Sequence, residues 1–293
     1  MTPQPLTRED VGSASGNCKN DFCRLLFYLP LSSWHRFSAE VAEKEIFVEV
    51  RNLHKSFGTQ KVLKGLSAKV YKGETLVLLG GSGGGKSVLM KHFIGLLSPD
   101  AGEVIVEGEN ITGMNERELS KVRRMMGMMF QSSALFDSMT VGQNIAFPLR
   151  MGGEKDEDRI TRLVRESLDI VRLSGQEEKM PSDLSGGMRK RVALARAIVD
   201  RPACVLFDEP HAGLDPITAD SIDHLVKDLQ RDHQMTNVIV THEMRSVFRI
   251  ADRVLFLKEG LVYWEGTPQE LEDSTDPELT NFIEGRSGES WEN

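Results

Sequence analysis

A glycine-rich segment in the first third of the chain has the residue types and spacing that bind phosphate groups. Gly80 is followed, after four residues, by Gly85, Lys86 and Ser87. The glycines allow consecutive backbone N–H groups to point into one concave anion site, which the N-terminus of a following helix reinforces. Lys86 would add a positive charge for the β- and γ-phosphates of a nucleotide, and the Ser87 hydroxyl would bind Mg²⁺. The simpler alternative is a glycine turn that only connects a strand to a helix.

Two acidic residues and a histidine follow apolar runs later in the chain. Asp208 and Glu209 come directly after the run at residues 203–207, and His242 follows the run at residues 238–241. In nucleotide hydrolases with a phosphate loop, an acid at this position holds Mg²⁺ together with the loop hydroxyl. Asp208 would take that role, and Glu209 would polarise a water molecule against the γ-phosphate. The alternatives are a solvated strand end for the acids and a structural role for the histidine.

A second helix N-terminus that could bind an anion lies between the phosphate loop and the two acidic residues. The helix predicted at residues 189–199 is preceded by Leu184, Ser185, Gly186, Gly187 and Met188. Ser185 can cap this helix, whose first backbone N–H groups lie at the positive end of the helix dipole. By itself the motif is an ordinary N-cap. The presence in one chain of two helix N-termini that could bind phosphate nevertheless requires an explanation.

The elements around these residues indicate an α/β protein. The uncharged run at residues 75–79 predicts a strand buried on both faces of a parallel sheet. We predict further strands at residues 46–53, 62–70, 104–106 and 125–130, and helices at 88–97, 117–124 and 217–233. The turn between the first two strands contains Phe57, which could stack on adenine or simply pack. Helical patterns at 140–149 and 157–173 predict a small helical subdomain inserted into the α/β core.

Composition limits the classes of function. The 293 residues are 40% hydrophobic and 27% charged, with a net charge of −8, so general affinity for nucleic acid is not expected. No apolar run approaches the roughly 20 residues that span a bilayer. The three cysteines are too few for a disulfide framework and indicate a reducing compartment, with the cytoplasm as the default.

Residues 1–45 differ in character from the rest of the chain. Their polar start predicts disorder, and the apolar stretch at residues 24–37 is broken by a proline and too short to span a membrane. That stretch could be a surface anchor or a partner-binding segment; an extension without a role, or a misassigned start, is the simpler reading. Cys18, Cys23 and His35 do not have zinc-site spacing, so no metal site is predicted there. Residues 286–293 are expected to form a short C-terminal tail.

Six motifs in the same order resemble those of the ATP-binding-cassette (ABC) ATPases. They are the phosphate loop at residues 80–87, Gln131, LSGGM at 184–188, VLFDEP at 205–210, AGLD at 212–215, and His242. The resemblance extends from about residue 46 to residue 285. It implies the P-loop NTPase fold of this family, with a RecA-like core, an antiparallel β-subdomain and a helical subdomain at about residues 132–185.

The resemblance also implies a role for each motif residue. Two copies would close around ATP so that the signature motif of one (Leu184, Ser185, Gly186, Gly187 and Met188) meets the ATP of the other, which would explain the second anion site. Glu209, His242 and Lys86 would be catalytic, Ser87, Gln131 and Asp208 would hold Mg²⁺, and Asp215 would lie in the D-loop. ATP would be bound by Phe57, Gly80, Gly81, Ser82, Gly83, Gly84, Gly85, Lys86, Ser87, Val88 and Gln131.

Within this family the chain is most similar to the ATPases of Mce-type, Mla-like phospholipid transporters. The similarity is carried by residues 126–149, 184–198 and 281–285, whereas Met188 replaces the commoner glutamine of the signature. It implies an ATPase homodimer on the cytoplasmic face of the inner membrane, an integral-membrane permease and Mce-type substrate-binding subunits. The alternative is an ATPase that regulates a membrane complex without transporting a solute. A DNA-repair or translation ATPase is disfavoured, since the sequence has no second cassette, long coiled-coil insertion or basic patch.

Overall fold

Two β-sheets and the helices packed on them make up residues 44–286, the part of the chain that the computed structural model describes. The strands are β1 Ile46–Phe57, β2 Gln60–Tyr71, β3 Thr75–Leu79, β4 Ala101–Val106, β5 Glu109–Asn110, β6 Met126–Met129, β7 Cys204–Asp208, β8 Thr236–Val240, β9 Arg253–Lys258 and β10 Leu261–Gly266. The helices are α1 Lys86–Phe93, α2 Glu116–Arg124, α3 Val141–Met151, α4 Glu157–Ile170, α5 Gly186–Ile198, α6 Pro216–His233, α7 Met244–Ile250, α8 Pro268–Glu272 and α9 Pro277–Glu284. A 3-10 turn, Pro181–Asp183, precedes α5.

The larger sheet brings the predicted site residues to one edge. Its strand order is β10-β9-β3-β8-β7-β6, and all neighbours are parallel except the β9–β10 pair. The carboxyl ends of β3, β8, β7 and β6 therefore lie side by side. The phosphate loop, His242, the Asp208–Glu209 pair and Gln131 leave the sheet at these four ends. Ligands of open α/β sheets bind at this edge.

The central strand β3 is buried on both faces, as predicted from its unbroken apolar run. Its side chains alternate between two hydrophobic clusters. Leu76 and Leu78 belong to the cluster shared with the smaller sheet, α1 and α2, whereas Val77 and Leu79 belong to the cluster shared with α3 to α9. Burial of each leucine stabilises the fold by about 1.5–3 kcal/mol, so the phosphate loop begins on a firmly held strand.

The smaller sheet is antiparallel, with the order β2-β1-β4-β5. Strands β1 and β2 are each 12 residues long and extend further than predicted, because the ladder continues up to the Phe57–Gln60 pair. Gly58, with φ of 59°, makes the turn between them. This hairpin carries Phe57 to the margin of the phosphate loop.

Helices α3 and α4 lie between β6 and β7 in the chain, within the predicted helical subdomain, and both pack against α5. Thr140 caps α3 through the N–H of Gln143, and Asp156 caps α4 through the N–H groups of the first turn. The buried face of α4 contains Ile160, Leu163 and Leu168, as the helical periodicity predicts. The subdomain boundaries at about 132 and 185 remain a prediction.

Several predicted element boundaries are wrong. The helix predicted at residues 88–97 begins at Lys86 and ends at Phe93, because Gly95 adopts φ of 63° against the side chain of Leu119. The helix predicted up to residue 173 ends at Ile170, since Arg172 has φ of 60°. Strands predicted at 203–207 and 238–241 occupy Cys204–Asp208 and Thr236–Val240. The register in the sheet moves these strands by one or two residues.

Five elements after His242 have no counterpart among the predicted elements: α7, β9, β10, α8 and α9. The most consequential is β9, which pairs with β3 on the side away from β8. Its sequence RVLFLK is an apolar strand signal of the same kind as β3. The larger sheet is therefore wider than the predicted strands imply.

In residues 44–286 no helix is long and apolar enough to cross a membrane. The predictions for residues 1–43, including the apolar stretch at 24–37 and the three residues Cys18, Cys23 and His35, lie outside the described part of the chain. The same applies to residues 287–293 of the predicted tail.

Candidate functional site

The phosphate loop joins β3 to α1 in a conformation that requires glycine at its two ends. Gly80 has φ of 131°, and a Cβ atom there would lie 2.1 Å from the backbone oxygen of Leu257 in β9. Gly85 has φ of 97° and caps α1, and a Cβ atom there would lie 2.8 Å from the side chain of Leu63. Gly85 supplies no side-chain cap, so the first N–H groups of α1 keep their capacity for an anion.

Lys86 folds back over this loop. Its Nζ atom donates hydrogen bonds to the carbonyl oxygens of Gly80 and Gly81, each at 2.9 Å. Burial lowers the pKa of the Lys86 ammonium, and the nearby carboxylates of Glu209 and Asp208 oppose that shift. The ammonium is thus held over the concave side of the loop by backbone acceptors, which a phosphate oxygen could join or replace.

Ser87 and Asp208 are in direct contact although 121 positions separate them in the sequence. The Ser87 hydroxyl donates to Oδ1 of Asp208 at 2.9 Å. This pair offers hydroxyl and carboxylate oxygens, which are the ligands that Mg²⁺ prefers. In residues 44–286 no group of three or more His, Cys, Asp or Glu side chains could hold a metal by itself. The pair therefore fits a cation that also takes phosphate oxygens and water as ligands.

Glu209 and His242 come together at the ends of β7 and β8. Oε2 of Glu209 lies 2.9 Å from Nδ1 of His242, and the carboxylate is mostly buried while the imidazole is 72% exposed. Glu209 has φ of 49°, a left-handed conformation that costs about 1–3 kcal/mol in a residue other than glycine. Hydrogen bonds from its N–H to Val240 and from Ala212 to its carbonyl oxygen maintain this conformation. The turn directs the carboxylate to the same edge as Lys86.

Phe57 and the phosphate loop border a common cavity. The cavity has a volume of about 240 Å³ and is lined by Phe57, Gln60, Val62, residues 83–87 and Val88. Phe57 is 47% exposed, and the ammonium of Lys55 lies 5.7 Å from the centroid of its ring. An aromatic face next to a phosphate loop can stack on a nucleotide base.

Gln131 is connected to this edge through its backbone. Its carbonyl oxygen accepts a hydrogen bond of 2.5 Å from Lys190 Nζ, whereas the residue itself is exposed. Its side chain makes no hydrogen bond with the described residues. Contact of the Gln131 amide with a metal therefore remains a prediction.

The signature motif lies at the start of α5, as predicted. The Ser185 hydroxyl accepts a hydrogen bond from the N–H of Met188 at 3.2 Å, and Ser185 and Gly186 are exposed. Gly187 packs on the first turn of α6, where a Cβ atom would lie 2.4 Å from Thr218. Within residues 44–286 no hydrogen bond or ion pair joins residues 184–188 to residues 80–88. In this part of the chain the signature is therefore not linked to its own phosphate loop.

Asp215 is the N-cap of α6. Its carboxylate accepts hydrogen bonds from the backbone N–H groups of Ile217 and Thr218, both at 3.0 Å, and from the Thr218 hydroxyl. The Thr218 hydroxyl is the main reason that the pKa of Asp215 is lowered. Because Thr218 also contacts Gly187, Asp215 supports the surface on which the signature packs. A role in the D-loop remains a prediction.

Sequence reasoning missed two polar groups beside the site. Lys190 is buried on the face of α5 that also presents Ala193 and Leu194, three and four residues on. A charged residue in the apolar stripe of a helix was the available signal. The second group is a cluster around the buried Asp223, whose carboxylate contacts His211 at 2.7 Å, Ser246 at 2.9 Å and Arg249 at 3.4 Å. These residues come from the segment after β7, from α6 and from α7, so only the fold reveals the cluster.

Comparison with known protein families gives a match over the centre of the chain. Residues 63–212 match the model of the family described as ABC transporter. The matched segment includes the phosphate loop, Gln131, the signature motif and the Asp208–Glu209 pair. It therefore covers half of the chain and most of the edge described above.

Three relatives have closely similar identities. The chain is 39% identical over 260 residues to the chloroplastic protein TRIGALACTOSYLDIACYLGLYCEROL 3 of Arabidopsis thaliana, covering 83% of this chain and 75% of the relative. It is 40% identical to the probable ribonucleotide transport ATP-binding protein mkl of Mycobacterium bovis, covering 86% and 70%. It is 39% identical to the intermembrane phospholipid transport system ATP-binding protein MlaF of Haemophilus influenzae, covering 82% and 91%.

A solved structure has the same fold. The dimeric structure of MJ0796, a bacterial ABC transporter cassette, superposes with a TM-score of 0.70 at 30% identity, covering 75% of this chain and 98% of that one. The same cassette has been solved as a dimer in a post-hydrolysis state with ADP and Pi. The predicted ABC ATPase fold is therefore confirmed.

Proposed function

The chain belongs to the ABC transporter family as an ATP-hydrolysing subunit, and from that premise we propose that it drives a permease that transports phospholipid or another lipid. The observation that carries the lipid proposal is the similarity to MlaF, whose name specifies intermembrane phospholipid transport. The Arabidopsis relative carries the name of a galactolipid. The mycobacterial relative is named for probable ribonucleotide transport, which makes the cargo an experimental question.

We propose that ATP binds at the edge of the larger sheet that carries the phosphate loop. The loop N–H groups and the Lys86 ammonium would contact the phosphates, and Phe57 would cover the adenine at the adjoining cavity. Ser87 and Asp208, already 2.9 Å apart, would hold Mg²⁺ with Gln131. Mg²⁺ would supply positive charge beside the phosphate oxygens. These assignments are supported by the position of Lys86, Ser87 and Asp208 at one edge of the larger sheet and by the cavity that the loop shares with Phe57.

Glu209 is proposed as the general base. Its carboxylate would accept a proton from the water molecule that attacks the γ-phosphorus in line with the leaving oxygen. Lys86 and the loop N–H groups would stabilise the charge that develops on the phosphoryl oxygens. His242, 2.9 Å from Glu209, would orient the carboxylate and contact the γ-phosphate.

A homodimer would complete each site. Ser185 and Gly186 are exposed at the start of α5 and have no described link to the loop of their own chain. Two antiparallel copies would each present a loop and a signature, giving two whole sites with ATP between them. The dimeric form of the MJ0796 cassette supports this arrangement.

The permease contact is proposed at a groove beside the Gln131 segment (residues 131–134). The groove has a volume of about 830 Å³ and is bordered by α2, β6, α3 and the end of α5. Its apolar lining includes the exposed Phe130 and Phe136, and Phe136 packs on Phe147 at 4.8 Å between ring centroids. A short helix of the permease, facing the cytoplasm, would fit this groove with its apolar side. The ATPase would then lie on the cytoplasmic face of the inner membrane.

Isolation of the intact assembly tests the proposed function. The tagged full-length chain would be purified from membranes in mild detergent, and its partner proteins and lipids would be identified by mass spectrometry. We expect an integral-membrane permease, Mce-type substrate-binding subunits and a bound phospholipid. The purified assembly, reconstituted in vesicles, should move that lipid only when ATP is present. An assembly that contains the Glu209→Gln variant should not move it. Partners with no permease, or ATP-dependent remodelling without lipid movement, would favour the regulatory alternative.

A further inference from the structure

Lys190 is a buried charged residue in the second turn of α5. The residue is only 5% exposed. In residues 44–286, its Nζ atom donates hydrogen bonds to two backbone carbonyl oxygens, that of Gln131 at 2.5 Å and that of Glu209 at 3.5 Å. The first contact is short and the second is at the limit of hydrogen-bonding distance. One ammonium therefore links α5, the Gln131 segment and the turn that holds the proposed general base.

Stability alone does not explain a buried ammonium at this place. Removal of a charge from water costs several kcal/mol unless partners compensate, and apolar replacements of buried charges are often neutral or stabilising. Burial lowers the pKa of Lys190, and only the more distant carboxylates of Glu209 and Asp208 oppose the shift. A methionine of similar length would fill the same space without that cost. We therefore attribute the charge at this position to the hydrogen bonds that it makes and not to the stability of the fold.

A second cation on α5 holds the same segment. Arg196 donates to the carbonyl oxygens of Ala134 at 2.7 Å and Ser133 at 2.8 Å. Both residues adopt the left-handed conformation, with φ of 46° and 63°. The Gln131 segment (residues 131–134) is therefore fastened to α5 at two points, by Lys190 near its start and by Arg196 near its end.

The helix that makes these contacts begins with the signature motif. Ser185 caps α5, and Lys190 follows five residues later, about 7.5 Å along the helix axis. A helix of this length moves as a unit, so a displacement at Ser185 is carried to Lys190 and Arg196. The signature is proposed to meet the ATP of the partner, whereas Gln131 and Glu209 are proposed to act on the chain's own ATP.

We propose that Lys190 is a positioning residue that couples the two ATP sites of the dimer. When the partner's ATP binds at Ser185, Lys190 transmits the resulting displacement of α5 to the backbone of Gln131 and Glu209. This inference rests on the proposed function. The coupling acts through the two hydrogen bonds from the Lys190 ammonium to backbone carbonyl oxygens. When α5 moves, these bonds move the Gln131 segment and the Glu209 turn with it. The Glu209 turn, whose carboxylate is already held at the sheet edge, is thereby shifted with α5 when the dimer closes.

The test compares Lys190→Met with Lys190→Arg in the full-length chain. Methionine removes the donors, so we expect kcat to fall about tenfold or more and the Hill coefficient for ATP to fall to about 1. ATP affinity of the monomer should stay within about twofold, because the loop and Lys86 are untouched. The melting temperature should not fall, since no buried charge remains to be compensated. Arginine keeps donors at the same place and should restore part of the cooperativity.

Arg191→Gln is the matched control, because Arg191 is the next residue on α5 and its side chain has no hydrogen bond or ion pair among the described residues. It should retain the wild-type kcat and Hill coefficient. A Lys190→Met variant with wild-type kcat and Hill coefficient would overturn the coupling. So would a fall in kcat with an unchanged Hill coefficient, which would confine the effect of Lys190 to one site, or a fall in kcat with a matching loss of melting temperature, which would assign Lys190 to support of the fold. A wild-type protein that dimerises with ATP but hydrolyses it without cooperativity would also overturn the coupling, whereas one that does not dimerise with ATP would contradict the proposed function.

Discussion

Nδ1 of His242 lies 2.9 Å from Oε2 of Glu209 and joins the ends of two adjacent parallel strands. The sheet pairing continues one residue past β7, since the N–H of Glu209 donates to the carbonyl oxygen of Val240 at 2.9 Å. Glu209 is thus held both at its backbone N–H and at its carboxylate. A fixed carboxylate at the sheet edge is the geometry that a general base needs before a nucleotide binds.

Glu209→Gln should abolish turnover and keep ATP binding. The amide preserves the volume and the contact with His242 but cannot accept the proton of the attacking water, so kcat should fall by about 10²- to 10⁴-fold. Phosphate release measures turnover, and size-exclusion chromatography with ATP should show an accumulated dimer. Glu243→Gln is the control, because Glu243 is an exposed acid next to His242 without a side-chain capping bond. Wild-type turnover in Glu209→Gln would remove Glu209 from the role of base.

Lys86→Ala should weaken ATP binding as well as hydrolysis. The variant loses the ammonium that lies on the Gly80 and Gly81 carbonyl oxygens, and a charged hydrogen bond of this kind corresponds to about tenfold to hundredfold in affinity. Fluorescence titration with a labelled nucleotide measures the change. Lys91→Ala, at the other end of α1, should bind ATP like the wild type. Equal affinities in the two variants would mean that the loop is structural.

Ser185→Arg should leave ATP binding to the monomer nearly intact and prevent dimerisation and hydrolysis. The long side chain would cover the N–H groups at the start of α5 that are proposed to meet the partner's ATP. A mixed dimer with Lys86→Ala pairs one intact loop with one intact signature. Such dimers, trapped by cross-linking, should retain one ATP. Loss of ATP binding by the isolated Ser185→Arg monomer would show that the signature acts within its own chain.

Gly80→Ala and Gly81→Ala should differ in stability although they are neighbours. A Cβ atom at Gly80 would lie 2.1 Å from a backbone atom of β9, so we expect the free energy of unfolding to fall by about 2 kcal/mol or more. A Cβ atom at Gly81 meets nothing within 4 Å, so its change should stay within about 1 kcal/mol. Urea unfolding of the nucleotide-free chains gives both values. Equal losses would contradict the close approach of β9 to the loop.

Phe136→Glu should prevent recovery of the permease without changing ATP binding by the monomer. Phe136 is 41% exposed in the proposed docking groove, and a charge there would be buried against the apolar face of the partner. Co-purification from membranes, quantified by mass spectrometry, measures the effect. Leu261→Glu is the control, since Leu261 is 44% exposed on β10 and does not line the groove. Equal recovery of the permease with both variants would place the contact elsewhere.

Local chemistry was sufficient to predict the motifs of this protein. The buried strand Thr75–Leu79 was predicted to the residue, because a strand covered on both faces leaves an unbroken apolar run. The Ser185 cap of α5 was predicted because capping depends on a side chain and the N–H groups of the next turn. The helix ends were less predictable. The helices end before Gly95 and Arg172, which both adopt left-handed backbone, and at Arg172 no glycine indicates it.

Only the tertiary structure decided which residues meet. The contact of Ser87 with Asp208, the approach of β9 to Gly80 and the contacts of Lys190 with Gln131 and Glu209 all join positions far apart in the chain. Sequence spacing carries no information on such pairs, because strand order within a sheet sets them. The sequence by itself therefore determined the phosphate loop, the acids and the signature. The order β9-β3-β8-β7-β6 brought the loop, the acids and Gln131 to one edge, whereas the signature has no hydrogen bond or ion pair to its own loop within residues 44–286.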